Sequence, residues 1–374
     1  MMNYDAAKHV LTEYPQAAEL PAAKLFGVGG ERDHETIALH TDPDTGLKAI
    51  VAIHSRARGP AFGGCRYWHY VSDAAALQDA LRLSQGMSLK NALADLPFGG
   101  GKSVILRPHT VPQGAPREAL FAAFGKFIES LNGAYLTAED VGTTVTDMAV
   151  VRRHTRFVSG LPREGEFGGD PSPKTALGVF SAIEVSARKL LGRASLEGLR
   201  VGVQGLGSVG WALSQLLADA GAVLTVADLR AERVAEARER FGATVACVDD
   251  ILRASVDVIA PCALGGALDA ASVDAMAATI VAGAANNQLQ HAGIGDRLHA
   301  RGIYYAPDFL INAGGIVSVA REWLGEGDET NVTREVLRIG DRMAELIERT
   351  RANGTTPAFE AESWARAKLV RPQA

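Results

Sequence analysis

VGVQGLGSVG (Val201–Gly210) is the stretch whose reading decides the fold. An apolar run meets G-x-G-x-x-G and then helix-forming residues, in the order strand, tight turn, helix. Gly205 makes the turn, Gly207 lets the backbone approach a pyrophosphate, and Gly210 lets the helix pack on the strand. Ser208 and Val209 lie at the helix start, where unpaired N–H groups and the helix dipole favour an anion. The next apolar run, AVLTVAD, ends at Asp228, close to the ~20-residue spacing of an acid that bonds ribose hydroxyls. A carboxylate there repels a 2′-phosphate, so the pattern favours NAD over NADP. Arg230, two residues on, works against that preference.

Outward from this unit, strand and helix signals alternate. ATVAC, VDVIAP, TIVAGA and GIYYAP read as strands, and helices end near Ala220 and Phe241 and recur from Asn312 to Leu324 and over 331–352. Such alternation predicts a doubly wound parallel sheet covered on both faces. Upstream, KLFGVGG and GLKAIVAIH read as strands, Asp73–Leu96 as a helix with apolar residues at helical spacing, and 116–131 as another helix. PFGGGKSVIL reads as a Gly-rich loop running into a strand, and GAYLTA as a strand. GLPREGEFGGDPSPKT, from Gly160, is dense in Gly and Pro and predicts a hinge, with a helix over 174–191 after it. The fold class is α/β, and 374 residues suit two domains.

Composition bounds the function. A net charge of −5 offers no basic surface to nucleic acid or an anionic membrane. Three widely spaced cysteines, Cys65, Cys247 and Cys262, argue against a disulfide framework and for a reducing compartment, so a cytoplasmic address is expected. No CxxC and no ligand-spaced histidines point to a metal. The first residues lack the apolar segment of a secretory signal, and no run of ~20 apolar residues predicts a membrane span.

A second set of residues carries chemistry. Lys90 lies in QGMSLKNA near the end of an apolar helix, Lys102 follows three glycines, and Asp140 lies in TAEDVGTT at a strand end. Phe98-Gly-Gly-Gly-Lys-Ser keeps only the end of a phosphate-binding P-loop, because Asp95 stands where the earlier glycine belongs. A lysine in a partly dry pocket can act near neutral pH. A second lysine can hold a carboxylate as a point charge, and an aspartate can exchange protons with an amine.

GPAFGGCR (59–66), ALRLSQGMSLKNALADLPFGGGKSVI (80–105), YLTAEDVGTT (135–144), GGDPSPKTALGV (168–179), VGVQGLGSVG (201–210), VAGAANNQL (281–289) and YAPDFLINAGGIVSVA (305–320) together resemble the glutamate/leucine/phenylalanine/valine dehydrogenase family, most closely its leucine and phenylalanine branch. The resemblance implies an N-terminal substrate-binding and oligomerisation domain over 1–160 with a C-terminal return at about 335–374. It implies a Rossmann NAD-binding domain over 161–334, and a catalytic cleft between the two. It implies that Lys90, near Gly63, Gly64 and Met87, takes the substrate carboxylate. Lys102 would be the catalytic lysine, its lowered pKa letting it activate water and stabilise the carbinolamine, and Asp140 would shuttle protons to and from the nitrogen. Thr175 and Asn287 would position the nicotinamide and substrate. The reaction implied is reversible NAD-dependent oxidative deamination of an L-amino acid by a homo-oligomer.

The same resemblance places Phe62, Ala138, Ile316 and Val319 around the substrate side chain. All four are apolar, and a glutamate γ-carboxylate buried among them would stay unpaired at several kcal/mol. Branched-chain substrates are favoured and phenylalanine stays open, because Phe62 either shallows the pocket, stacks on an aromatic substrate, or lies in the core beside it. A non-catalytic NAD-binding protein is the alternative of another class. It would keep 201–228 but has no use for Lys90, Lys102 and Asp140 together.

Overall fold

The computed structural model describes residues 34–161 and 168–369. The readings of the extreme N-terminus, of KLFGVGG and of 162–167 in the Gly/Pro tract lie outside the described residues. Contacts sort the chain into two units, Met1–Asp170 with Glu322–Leu324 and Leu369–Ala374, and Pro171–Arg321 with Gly325–Lys368.

The first unit is built on one mixed sheet. β1 (Thr36–Asp42) and β2 (Leu47–Ser55) form an antiparallel hairpin across a turn at 43–46. β3 (Ala61–Phe62) and β4 (Cys65–Trp68) follow, then helix α1 (Asp73–Leu93) and β5 (Gly99–Leu106). α2 (Ala115–Ser130), β6 (Tyr135–Leu136) and α3 (Val145–Arg152) complete the unit. The order is β1-β2-β5-β3-β6, with β4 also paired to β5. β5 is antiparallel to β2 but parallel to β3 and β4. α1 is capped by Ser72, whose hydroxyl accepts the Ala75 N–H at 3.1 Å. Its Ala76, Ala80, Leu83 and Met87 repeat at helical spacing and are buried.

The three glycines before Lys102 are not the expected loop. Gly99–Gly101 are the first residues of β5 itself. The reason is close packing of α1 on the sheet: a Cβ on Gly100 would overlap the Ser88 backbone. A glycine run here reports helix–sheet approach, not a turn.

The second unit opens with α4 (Ser172–Leu191), then β7 (Arg200–Gln204), α5 (Ser208–Asp219), β8 (Val223–Ala227), α6 (Ala231–Phe241) and β9 (Thr244–Val245). β10 (Val258–Pro261), α7 (Ala270–Ala275), β11 (Ile280–Val281), α8 (Gly293–Ala300) and β12 (Tyr304–Tyr305) make the second half. Every pairing is parallel, in the order β12-β11-β10-β7-β8-β9. Counted from β7, that is the dinucleotide-binding order 3-2-1-4-5-6, with the switch point between β7 and β10. α10 (Gly314–Leu324) is the helix expected over 312–324, and a short α9 (Asp308–Ile311) precedes it.

The C-terminal helices depart from expectation. α11 (Glu329–Asn353) and α12 (Pro357–Leu369) were expected to return to the first domain, yet all but their last residue sort with the second unit. The cause is the apolar stripe of α11, Val332, Val336, Ile339 and Met343, which is buried where α11 packs along α4. There Gly178 faces Ile339 and Gly340 faces Ser181.

Candidate active site

Parallel pairing in the first unit brings together residues far apart in sequence. Phe62 lies opposite Gly100 on one side and Leu136 on the other. Past β6 the chain continues beside β4, where Glu139 pairs with Cys65. This register places Asp140 Oδ2 2.5 Å from Lys102 Nζ, with the lysine only 4% exposed and the aspartate 16%. Arg66 Nε lies 3.5 Å from the same oxygen, and its guanidinium also meets Asp79 at 2.9 Å. Burial opposes ionisation of Asp140, but Lys102 and then Arg66 outweigh it and hold the carboxyl well below the usual carboxylate range. A charged carboxylate against a nearly dry ammonium is a pair between which a proton moves in one step. The Asp140 N–H donates to Thr143 Oγ1 at 2.9 Å, and that hydroxyl donates to the Cys65 carbonyl at 3.1 Å.

Lys90 and Met87 lie on the buried face of α1. One residue on, Asn91 Nδ2 donates to the carbonyls of Phe62 (3.3 Å) and Gly99 (2.5 Å), tying the helix to β3 and β5. Gly63 donates its N–H to the Leu136 carbonyl at 3.2 Å, and its own carbonyl accepts Tyr135 Oη at 2.7 Å. The Gly64 carbonyl accepts the Ser103 N–H at 3.3 Å. Ala138, 4% exposed, accepts the Cys65 N–H at 2.8 Å. Phe62 is fully buried, its ring edge-on to Phe98 at 5.1 Å between centroids. Glu139 has one buried oxygen without a hydrogen bond among the described residues. Burial and the carboxylates of Asp170, Asp147 and Asp140 push its carboxyl up to about 7.

The second unit carries the rest of the set. Gly205 takes φ +93°, open to glycine at no steric cost, and a Cβ on Gly210 would overlap the Gly205 carbonyl. No neighbour crowds Gly207, and Ser208 is exposed at the start of α5 with Val209 half-buried beside it. Asp228 directly follows β8, and its carboxylate accepts the Leu206 N–H at 2.6 Å and the Arg230 N–H at 2.9 Å. Burial opposes its ionisation, but hydrogen bonds from Arg230 and Leu206 lower the carboxyl below the ordinary aspartate value. Arg230 does not stand free to meet a phosphate: its guanidinium binds Asp228 and the Leu206 carbonyl. The glycine cradle, the open helix start and an ionised acid at the strand end fit a dinucleotide with free ribose hydroxyls.

Thr175, in the first turn of α4, donates its hydroxyl to the Pro171 carbonyl at 3.0 Å and lies against Gly315. Asn287 takes φ +52°. Its N–H donates to Asp308 Oδ2 at 2.6 Å and its carbonyl accepts the Gly266 N–H at 2.8 Å. Asp308 is held in turn by Tyr305 Oη at 2.8 Å. Ile316 and Val319 share one face of α10, 9% and 4% exposed. Arg66, Glu139, Phe98 and Asp308 were not picked out from sequence. Arg66 closes the GPAFGGCR stretch and Asp308 opens DFLINAGG, but only the tertiary fold gives either a partner.

With this geometry in hand, comparison with known proteins is decisive. Residues 34–157 match the Glu/Leu/Phe/Val dehydrogenase dimerisation domain, and residues 230–361 match the Glutamate/Leucine/Phenylalanine/Valine dehydrogenase family. The chain belongs to this family. It is 44% identical to leucine dehydrogenase of Geobacillus stearothermophilus over 87% of each chain. It is 43% identical to valine dehydrogenase of Streptomyces virginiae over 90% of this chain and 94% of that one. Among solved structures, L-tryptophan dehydrogenase from Nostoc punctiforme is 37% identical with a TM-score of 0.73, covering 90% of this chain and 96% of that chain. The family fold, an α/β chain of two domains with a Rossmann sheet, is the fold described above, and the family is one of NAD-dependent amino-acid dehydrogenases. Among the described residues no helix is long and apolar enough to cross a membrane.

Proposed function

We propose that this chain oxidatively deaminates a branched-chain L-amino acid, leucine or valine, to the 2-oxo acid and ammonia with NAD. The observation that carries this reading is the Lys102–Asp140 pair at 2.5 Å, nearly dry, in a chain whose relatives are named leucine and valine dehydrogenase. Lys90 takes the substrate carboxylate beside Gly63, Gly64 and Met87. Lys102 activates the water that adds to the substrate carbon and stabilises the carbinolamine. Asp140, ionised between Lys102 and Arg66, passes protons to and from the nitrogen. Gly205, Gly207, Ser208, Val209, Gly210 and Asp228 hold the dinucleotide, and Thr175 and Asn287 order its nicotinamide end. Bound there, NAD would supply the acceptor for the hydride that leaves the substrate Cα. Ala138, Ile316 and Val319 receive an apolar side chain, Phe62 having no exposed surface with which to meet it, and a γ-carboxylate beside them has no counter-charge.

The reading extends to assembly and place. The dimerisation-domain match supports a homo-oligomer built on the first domain. The sparse cysteines support a cytoplasmic address.

NADH formation at alkaline pH across leucine, valine, isoleucine, phenylalanine and glutamate, with NAD and then NADP, tests the proposal, Lys102→Ala serving as the blank. Turnover highest with a branched-chain member and NAD is expected. Turnover of glutamate overturns the pocket assignment, and silence across the panel with NAD still bound favours a non-catalytic NAD-binding protein.

A further inference from the structure

The peptide that joins Gly63 to Gly64 carries an N–H without a partner. Gly64 is half-buried, and its N–H makes no hydrogen bond among the described residues. The N–H groups on either side, of Gly63 and Cys65, are taken by the Leu136 and Ala138 carbonyls at 3.2 and 2.8 Å. A peptide between two glycines has no Cβ to fix its plane. Here Tyr135 fixes it. This fully buried residue donates its hydroxyl to the Gly63 carbonyl at 2.7 Å, with the Gly64 carbonyl at 3.3 Å and Ser103 Oγ at 3.0 Å around the same phenol oxygen. Burial pushes the phenol pKa up, so the hydroxyl stays a donor. Alternation along β5 says which face of the sheet this is. Gly100 faces α1, since a Cβ there would overlap the Ser88 backbone, and Gly101 faces the Tyr135 ring, which would lie 2.7 Å from a Cβ. Lys102 is therefore back on the α1 face and Ser103 on the tyrosine face. The Gly63–Gly64 bond is trans, and in a planar trans peptide the N–H points opposite to the C=O. With the Gly63 carbonyl turned to Tyr135, the Gly64 N–H is turned towards the face that carries Lys102. α1 brings Met87 to that face, its Cγ 3.2 Å from where a Cβ on Gly63 would stand.

We propose that Tyr135 is a positioning residue for substrate binding: by holding the Gly63 carbonyl it keeps the Gly64 N–H aimed into the site, where that N–H donates to the substrate carboxylate beside Lys90. This rests on the reading of Lys90 as the carboxylate-binding lysine. Without the phenol the peptide is free to turn over, and a carbonyl oxygen then faces the carboxylate where the N–H stood. An attraction becomes a repulsion. The phenol lies on the other face of the sheet and does not touch the substrate. Its ring packs against Gly101, so Tyr135→Phe removes the clamp and keeps the packing.

The test uses the full-length protein, unsubstituted and as Tyr135→Phe, with thermal melts alongside. Two competitors of L-leucine are compared at saturating NAD: 4-methylpentanoate, which has the carboxylate and no nitrogen, and 3-methylbutylamine, which has the nitrogen and no carboxylate. In Tyr135→Phe the inhibition constant of 4-methylpentanoate and the KM for L-leucine should each rise about tenfold, the low end of what a hydrogen bond to a charged group contributes, while the amine stays within about twofold. kcat should fall by less than KM rises. A general loosening of the site weakens both competitors alike, and that result, or an unchanged constant for 4-methylpentanoate, overturns the proposal while the dehydrogenase reading stands. If the variant does not fold, hydrogen exchange over residues 61–66 of the unsubstituted enzyme decides. Slower exchange of the Gly64 amide with 4-methylpentanoate than with 3-methylbutylamine supports the clamp, and equal exchange overturns it. A Lys90→Met variant that binds 4-methylpentanoate as the parent does fells the reading of Lys90 and this proposal with it. Absence of all amino-acid turnover in the unsubstituted chain, by contrast, is a failure of the dehydrogenase reading itself.

Discussion

Asp140→Asn removes one charge and almost no volume from the Arg66–Asp140–Lys102 cluster. At 2.5 Å the Lys102–Asp140 attraction is about 7 kcal/mol at an effective dielectric of about 20. Desolvation of a lysine only 4% exposed consumes much of that. What remains on removing one partner is the penalty of a buried, uncompensated cation, about 3 kcal/mol. The folded-state carboxyl is depressed, so its contribution is present above the unfolded value near 4 and is lost as pH falls through the folded one. The stability gap between the parent and Asp140→Asn is therefore expected to be full at pH 7 and to narrow progressively below about pH 4. Proton transfer by a placed side chain is worth roughly 10²–10⁴ in rate. Stopped-flow NADH formation should show kcat reduced by that factor, with NAD affinity, read by fluorescence titration, unchanged. A variant that melts early yet turns over within threefold of the parent would show that Asp140 is only a counter-ion, and the proton-transfer reasoning would fall.

Other outcomes follow from single contacts. Asp228→Ser should weaken NAD by roughly tenfold and narrow the preference over NADP, measured by titrating both dinucleotides, since it removes the carboxylate that orders Leu206 and Arg230. Asp308→Ala should raise KM for the amino acid more than it lowers kcat, because the Asn287 backbone loses the acceptor that holds its left-handed conformation; an unchanged KM removes that link. Glu139→Gln should stabilise the protein at pH 8 and not at pH 4. Its folded carboxyl sits at about 7, above its unfolded value, so ionisation on raising the pH destabilises the fold. Allowing for its half-buried position, the gain is on the order of 1 kcal/mol, visible as a higher melting temperature at the alkaline end alone.

Much of the fold is legible because its signals are local. Turn glycines, two-residue alternation and helical spacing act within a few residues, so the strand–GxGxxG–helix unit, Asp228 and the strand series down to GIYYAP emerge where expected. The lysines and Asp140 are also legible, since their residue types within recognisable stretches name a chemistry. The three glycines before Lys102 mislead because glycine signals either a turn or close packing, and only the position of Ser88 across the sheet distinguishes them. The apolar stripe of α11 is visible in sequence, but nothing local says which unit it covers.

By itself, then, the sequence determined the family, the doubly wound NAD-binding sheet and the residue types of the chemistry. The tertiary structure decided the pairings: that Asp140 meets Lys102 and Arg66, that Asp308 sets Asn287, and that Phe62 stands fixed against Phe98. These contacts span from 21 to 74 residues of chain, and strand register and helix packing alone bring such partners within a few ångströms of each other.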